Sequence, residues 1–415
     1  MSKRPGRWIL AIAVVILVGL VAFVMRSSDT QVKPPALSGR VWSGDGAQPA
    51  VLLYVTREER SMTRRTLGRS GSFFSVRYDR YALHVRRVDD GALLHTLALG
   101  DFKEIDDSRT PRVLGVIGDV VWLWRDGPES RTVAALELQC DLARLRQRTP
   151  DLAAFVPQDP KGFAVVPRPR ALVMRGRDAN LYRIDSAAAT ITPIAAEDLP
   201  PSNFTTRAED RFNYLIAPGQ SRLTTHPYGL MQKSFLTTTG HWYALLSESE
   251  RNGLSKWPRE DRPHGDVART FHRADYTMDG GQPAIDPAAV TRIGDARLLQ
   301  SGFIIRTQGA VWDVPEPSSS LALAKFLLGD DEPWQVVRLG RDGAILWRMS
   351  TELADLGEML DAGTHVVFIG KRVAHGSRTG PARDTRERIV AINTVSGARH
   401  TLFVGSGDLE PAVKP

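Results

Sequence analysis

A hairpin pattern that recurs along the sequence restricts the folds that this chain can adopt. The stretch LHVRRVDDGALLHTLALGD (83–101) alternates apolar and polar residues, breaks at Asp-Asp-Gly and then resumes. Similar patterns occupy residues 336–350 and 389–408. Alternation with a period of two is typical of a strand with one buried face, and Asp-Gly is a common hairpin turn. The sequence therefore predicts antiparallel hairpins at widely separated positions.

Further strand patterns separated by turn residues run through most of the chain. Short strands with frequent turn signals predict an all-β fold, and the return of a two-hairpin unit favours a repeat architecture over a single sandwich. We predict a β-propeller-like domain over 48–408 with about six to eight blades, in which each blade buries its faces against its neighbours. The other predicted strands and hairpins lie at 51–56, 72–78, 112–127, 132–139, 171–185, 190–194, 233–248, 301–314 and 365–373.

Three short segments have apolar residues at helical spacing instead. They are 140–152, 321–329 and 352–360. Each is long enough for one or two helical turns but too short to cover a sheet. We therefore predict brief helices at these places within the β domain.

The N-terminus predicts a membrane anchor. Residues 1–8 are basic, and residues 9–25 are an apolar run of 17 residues without a charge. Such a run is just long enough to cross a bilayer as a helix, and the preceding cations predict a cytoplasmic N-terminus. The run is not followed by a small-x-small cleavage site, which favours an uncleaved anchor over a signal peptide. We expect a linker at 26–47 and a tail at 409–415.

This reading places the protein in a bacterial inner membrane, with most of the chain in the periplasm or outside the cell. The net charge is +7, of which the first 30 residues hold +3, so little positive charge is left for the remaining body. That residual charge is too weak to predict a nucleic-acid partner. The single cysteine, Cys140, excludes an intrachain disulfide and follows an apolar alternating run, so we expect it to be buried.

Two segments carry a resemblance to known proteins. VAINTVSGARHTL (390–402) and YRIDSAAATI (182–191) resemble the repeat of quinoprotein-type propellers. The order of the anchor, DDGALLHTL (89–97), RVLGVIGDVVWLWRDG (112–127) and LGRDGAILWRMS (339–350) resembles an uncharacterised family of single-pass, membrane-anchored, propeller-like proteins of Gram-negative bacteria. The resemblance implies a fold and an anchor but no activity. Quinoprotein enzymes typically carry adjacent cysteines, which this chain lacks, so we predict no cofactor.

The densest polar cluster lies at 258–281. Its histidines and carboxylates are of the types that bind Zn²⁺ or another divalent metal. The two histidines are eight residues apart, which matches neither a helical ligand pair nor a zinc finger, and a solvated loop is the simpler interpretation. The metal candidates are His264, Asp266, His272 and Asp275.

A second candidate is basic. Residues 60–87 hold eight arginines against Asp79 alone, with aromatic residues between them. Guanidinium groups match carboxylates and phosphates, so this segment predicts an anionic partner such as a lipid headgroup, an envelope polymer or an acidic protein face. The alternative is a solvated strand edge that its charges keep from pairing. The candidate residues are Arg60, Arg64, Arg65 and Arg69.

Two functions follow from these features. The first is a membrane-tethered binding or scaffold protein of the cell envelope, with partner contacts on loops at 57–71 and 249–290. The second is an extracytoplasmic enzyme with a metal or acid–base site near 258–281. The chain has no phosphate-binding loop, nucleophile elbow or His-Glu-x-x-His motif. The sequence therefore favours the binding protein.

Overall fold

The computed structural model describes the greater part of the chain beyond residue 29. The predicted anchor at 9–25 and the tail at 409–415 lie outside the described residues, and the helices within those residues are all too short or too polar to cross a membrane. The described ranges are 30–39, 41–44, 50–65, 73–101, 103–104, 110–167, 170–199, 231–232, 234–237, 239–252, 268–279, 282–305, 319–326, 332–372 and 386–405.

The first sheet has seven strands, and we call it unit 1. Its path runs β1-β4-β5-β6, while β2 and β3 also pair with β4, and β7 pairs with β5. The hairpin predicted at 83–101 is confirmed as β5 and β6. The strands are β1 (Thr30–Val32), β2 (Ala36–Leu37), β3 (Trp42–Ser43), β4 (Val51–Arg65), β5 (Phe73–Arg87), β6 (Leu93–Ala98) and β7 (Lys103–Glu104).

Two four-stranded antiparallel sheets follow, which we call units 2 and 3. The predicted hairpins at 112–127 and 171–185 are confirmed in them. Unit 2 comprises β8 (Arg112–Ile117), β9 (Val120–Trp124), β10 (Pro128–Thr132) and β11 (Leu138–Cys140). Unit 3 comprises β12 (Phe163–Pro167), β13 (Arg170–Arg175), β14 (Leu181–Asp185) and β15 (Thr190–Pro193).

The next sheet has nine strands and divides at its longest member, β21. The first half of β21 pairs with β19, and the second half pairs with β22 and β16. Unit 4 comprises β17 (Ser234–Leu236), β18 (His241–Leu246), β19 (Arg269–Asp279), β20 (Gln282–Ile285) and the first half of β21 (Thr291–Ile305). Unit 5 comprises the rest of β21 with β16 (Met231–Gln232), β22 (Ser319–Lys325), β23 (Gln335–Gly340) and β24 (Ile345–Ser350).

The last sheet, unit 6, is again four-stranded and antiparallel. It contains the predicted strand at 365–373 and the predicted final hairpin, both confirmed. Its strands are β25 (Asp355–Asp361), β26 (His365–Lys371), β27 (Glu387–Asn393) and β28 (Arg399–Val404).

Most neighbouring units pack face to face in chain order. Apolar clusters join unit 1 to unit 2, unit 2 to unit 3, unit 4 to unit 5 and unit 5 to unit 6. A further cluster joins unit 6 back to unit 1, so the last sheet of the chain covers the first. Units 3 and 4 flank residues 200–230, and no apolar cluster of the described residues joins them. The described chain is therefore all-β and propeller-like, and its final blade count stays a prediction.

Two of the three predicted helices are wrong. Residues 321–325 of the first segment belong to strand β22, and 352–360 contains most of β25. In β22, Leu321 and Leu323 pack towards unit 6, while Ala322 and Ala324 pack towards unit 4. A strand buried on both faces is apolar at every position, so its sequence lacks the alternation that identifies a strand.

The helical prediction for 140–152 is confirmed as α1 (Leu142–Arg148) and α2 (Pro150–Ala153), and a third short helix, α3, spans Glu248–Asn252. The strand predicted at 132–139 is partly wrong, because residues between β10 and β11 form a turn. Val133 and Leu136 of this turn are buried against unit 1. Their apolar character therefore reflects packing between sheets.

The contact between unit 6 and unit 1 gives a first testable prediction. The rings of Tyr54 and Phe403 lie 5.5 Å apart in an edge-on arrangement. Aromatic pairs of this kind contribute about 0.5–1.5 kcal/mol beyond the area they bury. A double-mutant cycle with Tyr54→Leu and Phe403→Leu, measured by denaturant unfolding, should give a coupling free energy in that range. Additive effects of the two substitutions would show that the first and last sheets do not pack together.

Candidate functional site: a charged arm on unit 1

Two strands of unit 1 extend well beyond β3 and β6, and among the described strands only the short β1, β2 and β7 pair with the extension. β4 and β5 are 15 residues long, whereas β6 has six. We call residues 57–65 and 73–81 the arm, which is about 26 Å long at 3.3 Å per residue. The loop predicted at 57–71 is therefore wrong up to residue 65. The sequence of the arm lacks the alternation of apolar residues that identifies a strand. Charged cross-strand partners stabilise this part of the sheet in place of an apolar core.

The register of the arm decides which charges meet. Glu58 lies opposite Arg80, and Glu59 lies opposite Asp79. Because successive side chains on a strand point to opposite faces, Glu58 and Glu59 belong to different faces of the arm. Each face therefore has its own set of charges.

On the first face two carboxylates oppose each other. Glu59 and Asp79 are only 5% and 4% exposed. Like charges directly opposite one another destabilise a sheet unless cations compensate them. Lys33 Nζ lies 2.5 Å from Glu59 Oε1, and Arg57 Nη2 and Arg77 Nε lie 3.7 and 3.6 Å from Oε2. Three cations thus surround this carboxylate.

Asp79 uses two of the same cations. Arg57 Nε lies 3.8 Å from its Oδ2, and Arg77 Nε lies 4.0 Å from its Oδ1. The Tyr81 hydroxyl donates a hydrogen bond of 3.1 Å to Oδ2. Burial, together with the neighbouring Asp79 charge, raises the pKa of Tyr81, so the phenol remains a donor at neutral pH. Both arginines consequently bridge the two strands.

The ionised state of Glu59 is stabilised by its partners. The hydrogen bond from Lys33 lowers the pKa of Glu59 most, burial opposes it, and the charges of Arg77 and Arg57 lower it further. The backbone N–H of Lys33 also donates to the Glu59 carbonyl at 2.9 Å. Glu59 therefore attaches the N-terminal segment to the arm through both its side chain and its backbone.

The second face is ion-paired as well. Glu58 forms an ion pair with Arg80, and Arg60 Nη2 lies 3.6 Å from Glu58 Oε1. Arg60, one of the predicted anion-binding residues, thus has an acidic neighbour within the arm. The base of the arm is a network of cations and carboxylates on both faces.

The tip of the arm differs from its base. Residues 61–76 contain three arginines and no aspartate or glutamate. Arg64 and Arg65 end β4, in register with Phe74 and Phe73. Arg69, the fourth predicted residue, lies outside the described residues. The backbone thus places two of the predicted arginines at the end of the arm, beyond the last described carboxylates.

The metal candidates lie in unit 4. His264 and Asp266 are outside the described residues, and the segment from Arg269 to Asp279 is strand β19 instead of the predicted loop. His272 and Asp275 are three residues apart on this strand, so they point to opposite faces. His272 is buried, with Nδ1 3.0 Å from the Thr270 carbonyl oxygen. The described residues contain no group of three His, Cys, Asp or Glu side chains that could hold a metal ion.

A further charged cluster joins units 5 and 6. Glu352 forms ion pairs with Arg372 and Arg399, and Arg399 also donates to the Ser350 carbonyl at 3.1 Å. Burial opposes ionisation of Glu352, but the two arginines lower its pKa. The sequence gives no sign of this cluster, because its members lie far apart in the chain. Because the cluster lies between two sheets, its ion pairs connect them and its role is structural.

The Lys33–Glu59 contact gives a second prediction. Glu59→Gln removes the charge that holds Lys33, so the Lys33 amide should exchange its hydrogen faster. The acceleration should be at most about fivefold, because ion pairs with an exposed partner contribute roughly 0–1 kcal/mol and Lys33 is 61% exposed. Glu58→Gln, on the other face, is the matched control and should leave this rate unchanged. Equal rates in both variants and the parent protein would contradict the role of Glu59.

Comparisons with known proteins add little to this description. The chain is similar to the β-propeller domain of the trilobed protease from Pyrococcus furiosus, at 9% identity over 92% of this chain and 96% of that one, with a TM-score of 0.23. It is also similar to an acylaminoacyl peptidase from Pyrococcus horikoshii, at 9% identity over 92% of this chain and 46% of that one, with a TM-score of 0.16. No family model and no curated protein matches the chain. The resemblance to a membrane-anchored bacterial family therefore stays a prediction.

Proposed function

We propose that this protein is a membrane-tethered binding or scaffold protein of the bacterial cell envelope, and that the arm is its binding element. The observation that carries the proposal is the contrast within the arm. Carboxylates compensate the cations at its base, whereas arginines are the only charged residues in the sequence of its tip, 61–76. The ion pairs that stabilise the arm need only the residues at its base. We therefore assign the binding of an outside partner to the tip.

The chemistry of the tip indicates an anionic partner. Guanidinium groups bind carboxylates and phosphates through two parallel hydrogen bonds and stay charged at every physiological pH. The antiparallel pairing of β4 and β5 continues to Arg65 and Phe73, so the backbone of Arg64 and Arg65 belongs to the sheet. An ordered backbone loses less conformational entropy on binding than the backbone of a free loop.

The tether is the part of the proposal that rests on sequence alone. Residues 9–25 form an uncharged run of membrane-spanning length, with three cationic residues before it. The N-terminus then lies in the cytoplasm, and the sheet units lie on the opposite side of the inner membrane. The alternative is an extracytoplasmic enzyme with a metal or acid–base site near 258–281, where His272 and Asp275 lie on opposite faces of β19.

In-cell crosslinking tests the proposal. A photo-crosslinking residue replaces Thr63 near the tip of the full-length protein, and mass spectrometry identifies what is captured. We expect a reproducible adduct that is lost in Arg64→Glu/Arg65→Glu. The matched control is Arg146→Glu/Arg148→Glu, an equal charge change on the exposed side of α1, which should leave the adduct in place. An adduct that is insensitive to both double variants, or no adduct, would contradict the proposal.

A further inference from the structure

We infer that the tip of the arm rests on the membrane that holds the chain's own anchor, where Arg64 and Arg65 bind the phosphate groups of anionic phospholipids. This inference rests on the proposed function and names the partner. It follows from three observations: the direction in which the chain enters the arm, the short distance to the predicted anchor, and the distribution of charge along the arm.

The chain enters the described structure at the tip. Thr30 pairs with Met62, Val32 pairs with Arg60, and Leu37 pairs with Thr56. The N-terminal segment therefore runs antiparallel to β4, from the tip of the arm towards the body of unit 1. Whatever precedes Thr30 in the chain is consequently joined to the tip and not to the opposite end of the sheet.

The predicted anchor ends close to this point. The apolar run ends at Met25, five residues before Thr30. A fully extended chain covers at most about 3.6 Å per residue, so Thr30 lies within about 18 Å of the end of the run. Met62 is the cross-strand partner of Thr30, about 5 Å away, and Arg64 and Arg65 follow two and three residues further along β4. An anchor there would hold the tip closer to the bilayer surface than the body of unit 1, which lies at the other end of the arm.

The balance of charge along the arm changes towards its tip, the end nearest to the predicted anchor. Carboxylates accompany the cations at residues 57–60 and 77–80, whereas no acidic residue lies between Arg60 and Arg77. Interactions between exposed charges fade over about 8 Å at physiological ionic strength, so only cations close to the surface are attracted to it. Arginines held close to a lipid surface that carries negative charge are attracted to it, on whichever side of the membrane those lipids lie. A phospholipid surface therefore accounts for both the position of the tip and its positive charge.

Fluorescence quenching in nanodiscs tests the inference on the full-length protein. The only native thiol, Cys140, is buried, so an introduced cysteine can be labelled selectively. A fluorophore on Thr63→Cys reports the tip, and lipids with a spin label at the headgroup act as quenchers. The control is Leu93→Cys, an exposed position in register with Arg86. Arg86 is eleven residues along β5 from Ser75, the partner of Thr63, which is about 36 Å at 3.3 Å per residue.

We expect the Thr63→Cys label to be quenched in nanodiscs of phosphatidylcholine with phosphatidylglycerol, and only weakly in phosphatidylcholine alone. Quenching should fall severalfold when salt rises from 0.1 M to 1 M, which shortens the screening length from about 10 Å to about 3 Å. It should also fall severalfold in Arg64→Glu/Arg65→Glu but not in Arg146→Glu/Arg148→Glu. The Leu93→Cys label should remain unquenched throughout.

Equal quenching of Thr63→Cys in both lipid mixtures, or none in either, would overturn the lipid assignment. The crosslinking experiment separates this failure from that of the proposed function. If Thr63 is not quenched but captures an envelope protein in an arginine-dependent manner, the partner is an acidic protein and the proposed function stands. If neither signal is found, both the lipid assignment and the proposed function are wrong.

Discussion

Phe368→Ala is expected to lower the free energy of unfolding by about 3–5 kcal/mol, the usual cost of truncating a buried phenylalanine. Phe368 is fully buried in β26, within the cluster that joins unit 6 to unit 5. Val366 faces the same cluster, whereas Val367 and Ile369 face unit 1. The ring therefore fills space between two sheets, and its loss leaves a cavity that neither sheet can close alone.

Denaturant unfolding followed by circular dichroism measures this effect. Val395→Ala is the control, because Val395 is an exposed residue of the turn between β27 and β28. Exposed substitutions usually change stability by less than about 0.5 kcal/mol. A cost of Phe368→Ala no larger than that of the control would mean that units 5 and 6 do not share a core.

The protein is expected to lose stability steadily as the pH falls from 6.5 towards 4. Three histidines in different units have a pKa below the ordinary value of 6.5. Burial lowers the pKa of His84 to about 4, with the charge of Arg86 adding to the effect. Burial is also the main cause that lowers the pKa of His272 and of His365.

The sign follows from proton binding. Below pH 6.5 the unfolded chain binds protons at these histidines, whereas the folded protein does not bind them until the pH reaches the lower folded pKa. Stability is therefore complete above pH 6.5 and is lost as the pH falls. For His84 the loss is up to about 1.4 kcal/mol per pH unit within this window. The lowered pKa of Glu59 adds a loss only below its ordinary value of 4.5.

Thermal unfolding between pH 7.5 and 4.5 measures this dependence. His84 contacts Thr56 Oγ1 at 2.8 Å and Thr96 Oγ1 at 3.2 Å, so His84→Gln keeps a polar group between the two hydroxyls. The variant should show a shallower decline of melting temperature with falling pH than the parent protein. A melting temperature that stays constant from pH 6.5 to 5 would contradict the burial of the histidines.

The fold was predictable wherever a strand has one buried face. The hairpins at 83–101, 171–185 and 336–350 were found because alternation and turn residues coincide there. The strand at 319–325 was not found, because neighbouring sheets cover both of its faces and its sequence is apolar throughout. The packing of the last sheet against the first depends on contacts between residues more than 300 positions apart, which no local pattern predicts.

The arm was only half predictable. Its arginines were visible in the sequence, but their counter-ions were not assigned, because Glu58 and Glu59 immediately precede the basic segment. Pairing in register brings Glu59 opposite Asp79, and Lys33 lies beside Glu59. One feature of the sequence could have identified these counter-ions. Successive residues of a strand face opposite sides, so Glu58 and Glu59 belong to different faces of the arm.

We propose that this protein has an extracytoplasmic body tethered to the inner membrane, and membrane extraction combined with protease accessibility tests this most directly. Membranes from cells producing the full-length protein are washed with salt and alkaline carbonate, and intact spheroplasts are treated with an external protease. We predict that the protein stays in the washed membranes and that the external protease digests the body. Release by carbonate would contradict the anchor, and protection of the body from the protease would contradict its location.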